Sequence, residues 1–306
     1  MGGTPSQVQC GNLGTSCRSH FRVGGVSVQV TGDCQADVAL VPSVLPFQVD
    51  IGPCDINVQI GWVARLLPTR GRQVFDSGSI WRLYQDEGHF QFDFSSPVLG
   101  DAPYKRLLID DQFCRASLLL SEECFKGHGI AAPLEYPLDE VLIMHRLTRE
   151  KAVELHGCGI VLKSNGASYL FVGHSGAGKS TTARLWTSRQ GVEVLSDDRI
   201  ILREHAGQTF MYGTPWHGEA AYASPARAPL SGIFILEHGM GNVITRLSRS
   251  QAVSELFARS FVPFHRHDYV DSALDALQRV TATIPCYRYS FEPDQRAVET
   301  ILQFND

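Results

Sequence analysis

Gly173 to Thr182 reads GHSGAGKSTT, and a stretch of that kind admits few folds. Gly173, Gly178, Lys179 and Ser180 meet the pattern G-x-x-x-x-G-K-[ST], in which small residues let backbone N–H groups turn inward around a phosphate. The pattern works only between a strand and a helix, because the helix N-terminus adds its partial positive charge to the cradle. Both flanks are present. SYLFV, residues 168–172, is a short run of β-formers, and KSTTARLWTSRQ predicts a helix from Lys179 to about Arg189, ending before Gly191. The candidate binding loop is therefore Gly173, His174, Ser175, Gly176, Ala177, Gly178, Lys179, Ser180 and Thr181. In it Lys179 reaches the terminal phosphates and Ser180 ligates Mg2+.

A phosphate loop that handles a metal also needs carboxylates, and VEVLSDD offers Asp197 and Asp198. A helix to Arg189 climbs about 16 Å at about 1.5 Å per residue. A strand from Val192 to Ser196 returns about 16 Å at about 3.3 Å per residue. The two aspartates are thus expected level with the loop, provided this strand lies beside the first with a right-handed crossover. One can support the metal while the other accepts a proton from an attacking hydroxyl. Neighbouring strand residues face opposite ways, so both reach one site only through a bend or bulge at the strand end.

The remaining sequence divides around this centre. Residues 1–20 are rich in Gly, Ser, Thr and Gln and are expected to be a disordered leader. Residues 21–135 alternate with period two and are expected to form a β-rich N-terminal domain. SIWRLYQDEGHFQFDF reads as a hairpin whose aromatics Trp81, Tyr84, Phe90, Phe92 and Phe94 pack across strands rather than stack on bases. In residues 136–306 strand, turn and helix alternate, as expected of an α/β domain opening on a helix capped by Asp139, with Leu142, Met144, His145 and Leu147 on its apolar side. A net charge of −5 gives no general attraction to nucleic acid. No stretch approaches the roughly 18 apolar residues of a membrane span, so the cytoplasm is expected. The eight cysteines lack zinc spacing and are expected to be reduced and mostly buried thiols. HRHD, residues 265–268, is expected to be a solvated loop rather than a metal site.

From Glu154 to Arg203, ELHGCGIVL, YLFVGHSGAGKSTTARLW and VLSDDRIIL resemble the HPr kinase/phosphorylase family and, more distantly, ATP-dependent phosphoenolpyruvate carboxykinases. The resemblance implies an α/β P-loop core of the HPr kinase/phosphoenolpyruvate carboxykinase type with a mixed sheet. Position by position, it implies that Asp197 accepts the substrate proton, that Asp198 supports Mg2+ and that His156 lies near the acceptor. YGTPWHGEAAYASPARAPLSGIFIL and IPCYRYSFEPD look like the divergent HPr-kinase-like proteins that include lasso-peptide kinases. Thr181 and Thr182 follow Ser180 where HPr kinases have glutamate, as in the carboxykinase loop. In place of the EVRG signature, Glu219 is the nearest candidate. GTPWHGE reads equally as a substrate loop around Trp216, His217 and Glu219 or as a packed turn. Arg199 and Arg227 are candidates to neutralise transition-state charge.

Together these readings predict an ATP-dependent kinase that moves the γ-phosphoryl group to a hydroxyl, serine above all, on a peptide or protein. The alternatives are a kinase of free serine or another small molecule, and an ATP-binding regulatory module without turnover. ATP and Mg2+ are the expected cofactors. No nucleic-acid or membrane partner is expected, and the resemblance implies a homo-oligomer.

Overall fold

The structure, a computed structural model, describes residues 16–86, 88–125 and 132–304. Most of the expected leader, residues 1–15, lies outside the described residues. Strand β1 (Cys17–Val23) already begins inside the stretch assigned to the leader. The reason is local: Ser19, His20 and Phe21 are buried against β2 (Val26–Gly32), which pairs with them in full register.

Six more strands complete the first sheet: β3 (Ile56–Val63), β4 (Arg72–Asp76), β5 (Trp81–Asp86), β6 (His89–Ser96), β7 (Gly100–Asp110) and β8 (Arg115–Ser121). Their order is β1-β2-β3-β8-β7-β6-β5-β4. The expected hairpin is β5 paired antiparallel with β6, Trp81 opposite Phe94 and Leu83 opposite Phe92. Phe90, Phe92 and Phe94 are buried, so these aromatics are core, as cross-strand packing requires.

A short helix α1 (Glu122–Phe125) is followed by α2 (Leu138–Arg149). Asp139 does not cap α2: the N-cap is Pro137, and Asp139 sits buried in the first turn, accepting a hydrogen bond from Trp216 Nε1 at 3.0 Å. The helix is buried on more than one side because it lies between two layers. Leu138, Val141, Leu142, Ile143 and Leu147 pack with the first sheet, and Ile201, Tyr212 and Trp216 from the second half join the same core.

The second sheet takes β9 (Val153–Leu162), β10 (Ser168–Val172), β11 (Val192–Ser196), β12 (Arg199–His205), β13 (Gln208–Tyr212), β14 (Arg227–Pro229), β15 (Gly232–His238), β16 (Val243–Arg246), β17 (Ser260–Phe261) and β18 (Cys286–Phe291). Helix α3 (Lys179–Thr187) follows β10, α4 (Arg249–Phe257) and α5 (His267–Thr283) precede β18, and α6 (Gln295–Gln303) follows it. The order is β14-β13-β12-β9-β10-β15-β18-β16, with β11 and β17 also on β9, so the sheet is mixed. One face is covered by α4 and α5, the other by α3 and α6.

β11 does not lie beside β10. β9 runs between them, antiparallel to both, so β10 and β11 still point the same way. Two sequence expectations change at the periphery, those for HRHD and for the cysteines. HRHD is not a solvated loop: His265 packs edge-on to Phe90 and Tyr269, and His267 and Asp268 open α5. No group of three or more metal-ligating side chains occurs among the described residues. Of the seven described cysteines, all free, only Cys158 and Cys286 are buried. No helix among the described residues is long and apolar enough to cross a membrane.

Candidate active site

β10, β15 and β18 are parallel, and their carboxyl ends meet at one edge of the sheet. Ligands of open α/β sheets bind at such an edge, where the loops leave the strands. Gly173 to Gly178 fills it, running from the end of β10 into α3. The glycines are required by space. A Cβ on Gly173 would stand 2.6 Å from the Ala177 side chain; Gly178 has φ +100° and its Cβ would stand 2.6 Å from the Phe291 ring. Lys179 Nζ donates to the carbonyls of Gly173 and His174, at 3.0 Å each, which folds the buried side chain back over the loop. Burial pushes this ammonium down to about 8, against the opposing pull of Asp198. His174, Ser175 and Gly176 form the exposed tip, and Ala177, Ser180 and Thr181 are half-buried at the helix entry.

A bulge ends β11 just before the two aspartates, and beyond it they face opposite ways rather than one site. Val194 pairs with Ile160 but Ser196 with Gly159, a one-residue slip, after which β12 continues along β9 with Arg199 opposite His156. Asp197 turns inward and is 1% exposed. Its carboxylate accepts from the backbone N–H groups of Gly218 (3.1 Å), Ala220 (2.9 Å) and Tyr222 (3.2 Å), and from Ser180 Oγ at 3.3 Å. Asp198 faces outward. Its Oδ1 lies 2.8 Å from His156 Nε2, its other oxygen takes the Arg199 guanidinium, and the His156 and Asp198 side chains are 21% and 25% exposed. Burial pushes the Asp198 carboxyl up, but His156 and Arg199 outweigh it and hold the group below its usual range.

β9 ties this pair to the loop. The His156 carbonyl accepts from Gly173 N at 3.3 Å, and Gly157 N donates to the Asp198 carbonyl at 3.0 Å. Arg199 is spoken for: besides Asp198, its Nε reaches Glu140 at 2.8 Å and Glu154 at 3.5 Å, and the guanidinium lies 4.0 Å over Phe261. Burial and the neighbouring Glu140 push the Glu154 carboxyl well above its usual range, against the opposing pull of Arg199. Arg199 is therefore a brace for Asp198 rather than a free counter-charge. Arg227 lies on β14, four strands from β10, roughly 19 Å away at about 4.8 Å per strand, and does not join this site.

GTPWHGE is packed at its centre and open at its tip. Trp216 is buried on Asp139, while Gly218 approaches Asp197 so closely that a Cβ would stand 2.9 Å from Oδ2. His217 and Glu219 remain exposed on the same loop. Glu140, Glu154 and His238 escape the sequence reading. His238 Nε2 meets the Gly176 carbonyl at 2.8 Å. A usable signal exists for it, since it ends an apolar run that pairs in parallel with the loop strand; Glu140 and Glu154 carry none, being defined only by a partner far along the chain.

The residues fit a nucleotide triphosphate with a divalent ion. The loop is held tight by glycines against Ala177 and Phe291, Lys179 Nζ folds over it, and Ser180 Oγ and Asp197 put two oxygen donors together at the helix entry. No protein-family model matches the chain, and no curated protein matches it. Among solved structures it is similar to the HPr(Ser) kinase/phosphatase from Coxiella burnetii, with a TM-score of 0.29 and 11% identity, over 49% of this chain and 93% of that one. A likeness of this size is weak and assigns no residue a role.

Proposed function

We propose that this protein is an ATP- and Mg2+-dependent kinase that phosphorylates a hydroxyl group, serine on a peptide or protein being the expected acceptor. The reading rests on one observation: β9 carries His156, which pairs with the part-exposed Asp198 beyond β11, and hydrogen-bonds directly to the first residue of a phosphate cradle. Bound ATP with Mg2+ supplies the γ-phosphoryl group and the positive charge that offsets its oxygens. The loop N–H groups and Lys179 hold and orient the phosphates, and Ser180 and Asp197 are the oxygens that would hold the metal.

Proton transfer falls to the other carboxylate. Asp197 accepts three N–H bonds on a carboxylate that is 1% exposed, so it is turned away from a substrate hydroxyl and toward Ser180. The open groups are Asp198 Oδ1 and His156, which share a hydrogen bond and together take the hydroxyl proton. The roles that the resemblance implied for Asp197 and Asp198 are exchanged in this reading.

The test is transfer from γ-labelled ATP to a serine-peptide pool, to free serine and to water, with Lys179→Ala as blank. Label on peptide that disappears in Asp198→Asn, with ATP binding retained, supports the proposal. Label on free serine alone moves the acceptor to a small molecule. Absence of transfer despite ATP binding that Lys179→Ala removes would replace the kinase by a nucleotide-binding module.

A further inference from the structure

A second concave site lies where the two sheets meet, far from the phosphate loop. It is a cleft of about 800 Å³ walled by the β1–β2 turn and residues 46–49 on one side and by β12, β13 and β14 on the other. Arg22, Arg203, His205 and Arg227 line it, and none of its lining residues is Asp or Glu. The chain as a whole is acidic, with a formal net charge of −5, so this concentration of guanidinium groups runs against the average surface.

Each arginine is aimed by its neighbours rather than free. Arg22 Nε donates to Ser27 Oγ at 2.8 Å across the β1–β2 pair. Arg227 Nη1 donates to the Tyr212 hydroxyl at 3.0 Å, and its guanidinium lies 5.0 Å from the centre of the Phe210 ring. Arg203 donates to the Gly24 carbonyl at 3.2 Å and is neutralised by Glu150. Gly25 has φ +81°, a conformation that side chains rarely adopt, so a glycine there is what lets the turn form beside Arg203. Among the described residues Arg22 is partnered by Ser27 and Arg227 by Tyr212 and Phe210, and neither pairs with a carboxylate. A guanidinium carries five N–H donors and cannot lose its charge, so most of the donors on both remain open inside a concave wall.

Guanidinium groups from two sheets on one wall without a carboxylate raise the local positive potential, and their bidentate donors match phosphate and carboxylate oxygens. We infer that this cleft binds a small organic molecule bearing two or more anionic oxygens, a phosphate or a pair of carboxylates, held between Arg22 and Arg227. The volume is in the range of small-molecule sites. The site is independent of the kinase reading: β14 and the loop strand β10 are separated by three strands.

The experiment uses the full chain carrying Lys179→Ala, so that anion binding at the phosphate loop does not contribute. Inorganic phosphate and citrate are titrated separately by calorimetry at constant ionic strength, with chloride as control. Saturable binding of one probe per chain is expected, and Arg22→Ala with Arg227→Ala should weaken it by about tenfold or more. The unfolding midpoint of that variant without anion should stay that of the parent, since both side chains are exposed. Phosphate alone binding assigns a phosphate ester, and citrate alone assigns a carboxylate ligand. Neither probe saturating below about 10 mM, or equal affinity in the arginine variant, overturns the inference. ATP binding by the arginine variant with Lys179 intact reports separately on the loop, so either reading can fail without the other.

Discussion

Two adjacent aspartates that look equivalent on paper occupy opposite environments. Asp197 accepts three backbone N–H bonds from residues 218–222, while Asp198 meets His156 and Arg199 in a half-open position. Asp197→Ala strips a buried acceptor from three donors and is expected to destabilise the chain by about 2–4 kcal/mol in urea unfolding. Asp198→Asn should change stability by less than about 1 kcal/mol yet reduce phosphoryl transfer by about a hundredfold or more, with ATP affinity kept. The reverse pattern, a stable Asp197→Ala that loses only turnover, would restore Asp197 as the proton acceptor.

Among the elements, the strand–loop–helix unit and α2 differ in how they are held. The unit depends on glycine conformations: Gly178→Ala forces a Cβ into φ +100° and against Phe291, and should weaken ATP binding in calorimetry and cost more than about 1 kcal/mol of stability. Helix α2 depends on burial. The sequence predicts a single apolar side for it, whereas its side chains meet the first sheet, α5 and β9. Leu142, fully buried in that core, is expected to cost about 2–5 kcal/mol on truncation to Ala, read as a lower unfolding midpoint. A loss under about 1 kcal/mol would mean that α2 is not a joint element of the fold.

For the molecule as a whole, pH dependence follows from a histidine sealed between its halves. His145 is fully buried, stacked on Phe113 and beside His265, and burial followed by the His265 charge lowers it to about 3. The unfolded chain takes up a proton near the ordinary value of about 6.5 that the folded chain refuses. Its contribution is therefore present above about pH 6.5 and is lost as the pH falls toward 3, with a slope of at most about 1.4 kcal/mol per pH unit from this group. Asp139 works in the opposite direction. Burial raises it to about 7, so its stabilising contribution is complete below the ordinary carboxylate value and declines as the pH rises toward 7. Unfolding midpoints measured from pH 4 to 7 should separate the two: His145→Phe flattens the acid limb, and an unchanged limb would assign it to other groups.

The stretches that the sequence alone determines are those whose signal is local. β10 and β11 have the ends that their apolar runs and flanking glycines predict. Helix α3 is two residues shorter than its composition suggests and keeps the loop geometry intact. Tertiary structure alone decided that β9 separates β10 from β11, that Glu140 and Glu154 brace Arg199, and that Asp197 anchors residues 218–222. Strand order and carboxylate environment are set by pairings across long stretches of chain, and such pairings leave no periodicity in either partner. The cleft between the sheets belongs to the same class: Arg22 and Arg227 acquire a meaning only when two sheets bring them to one wall.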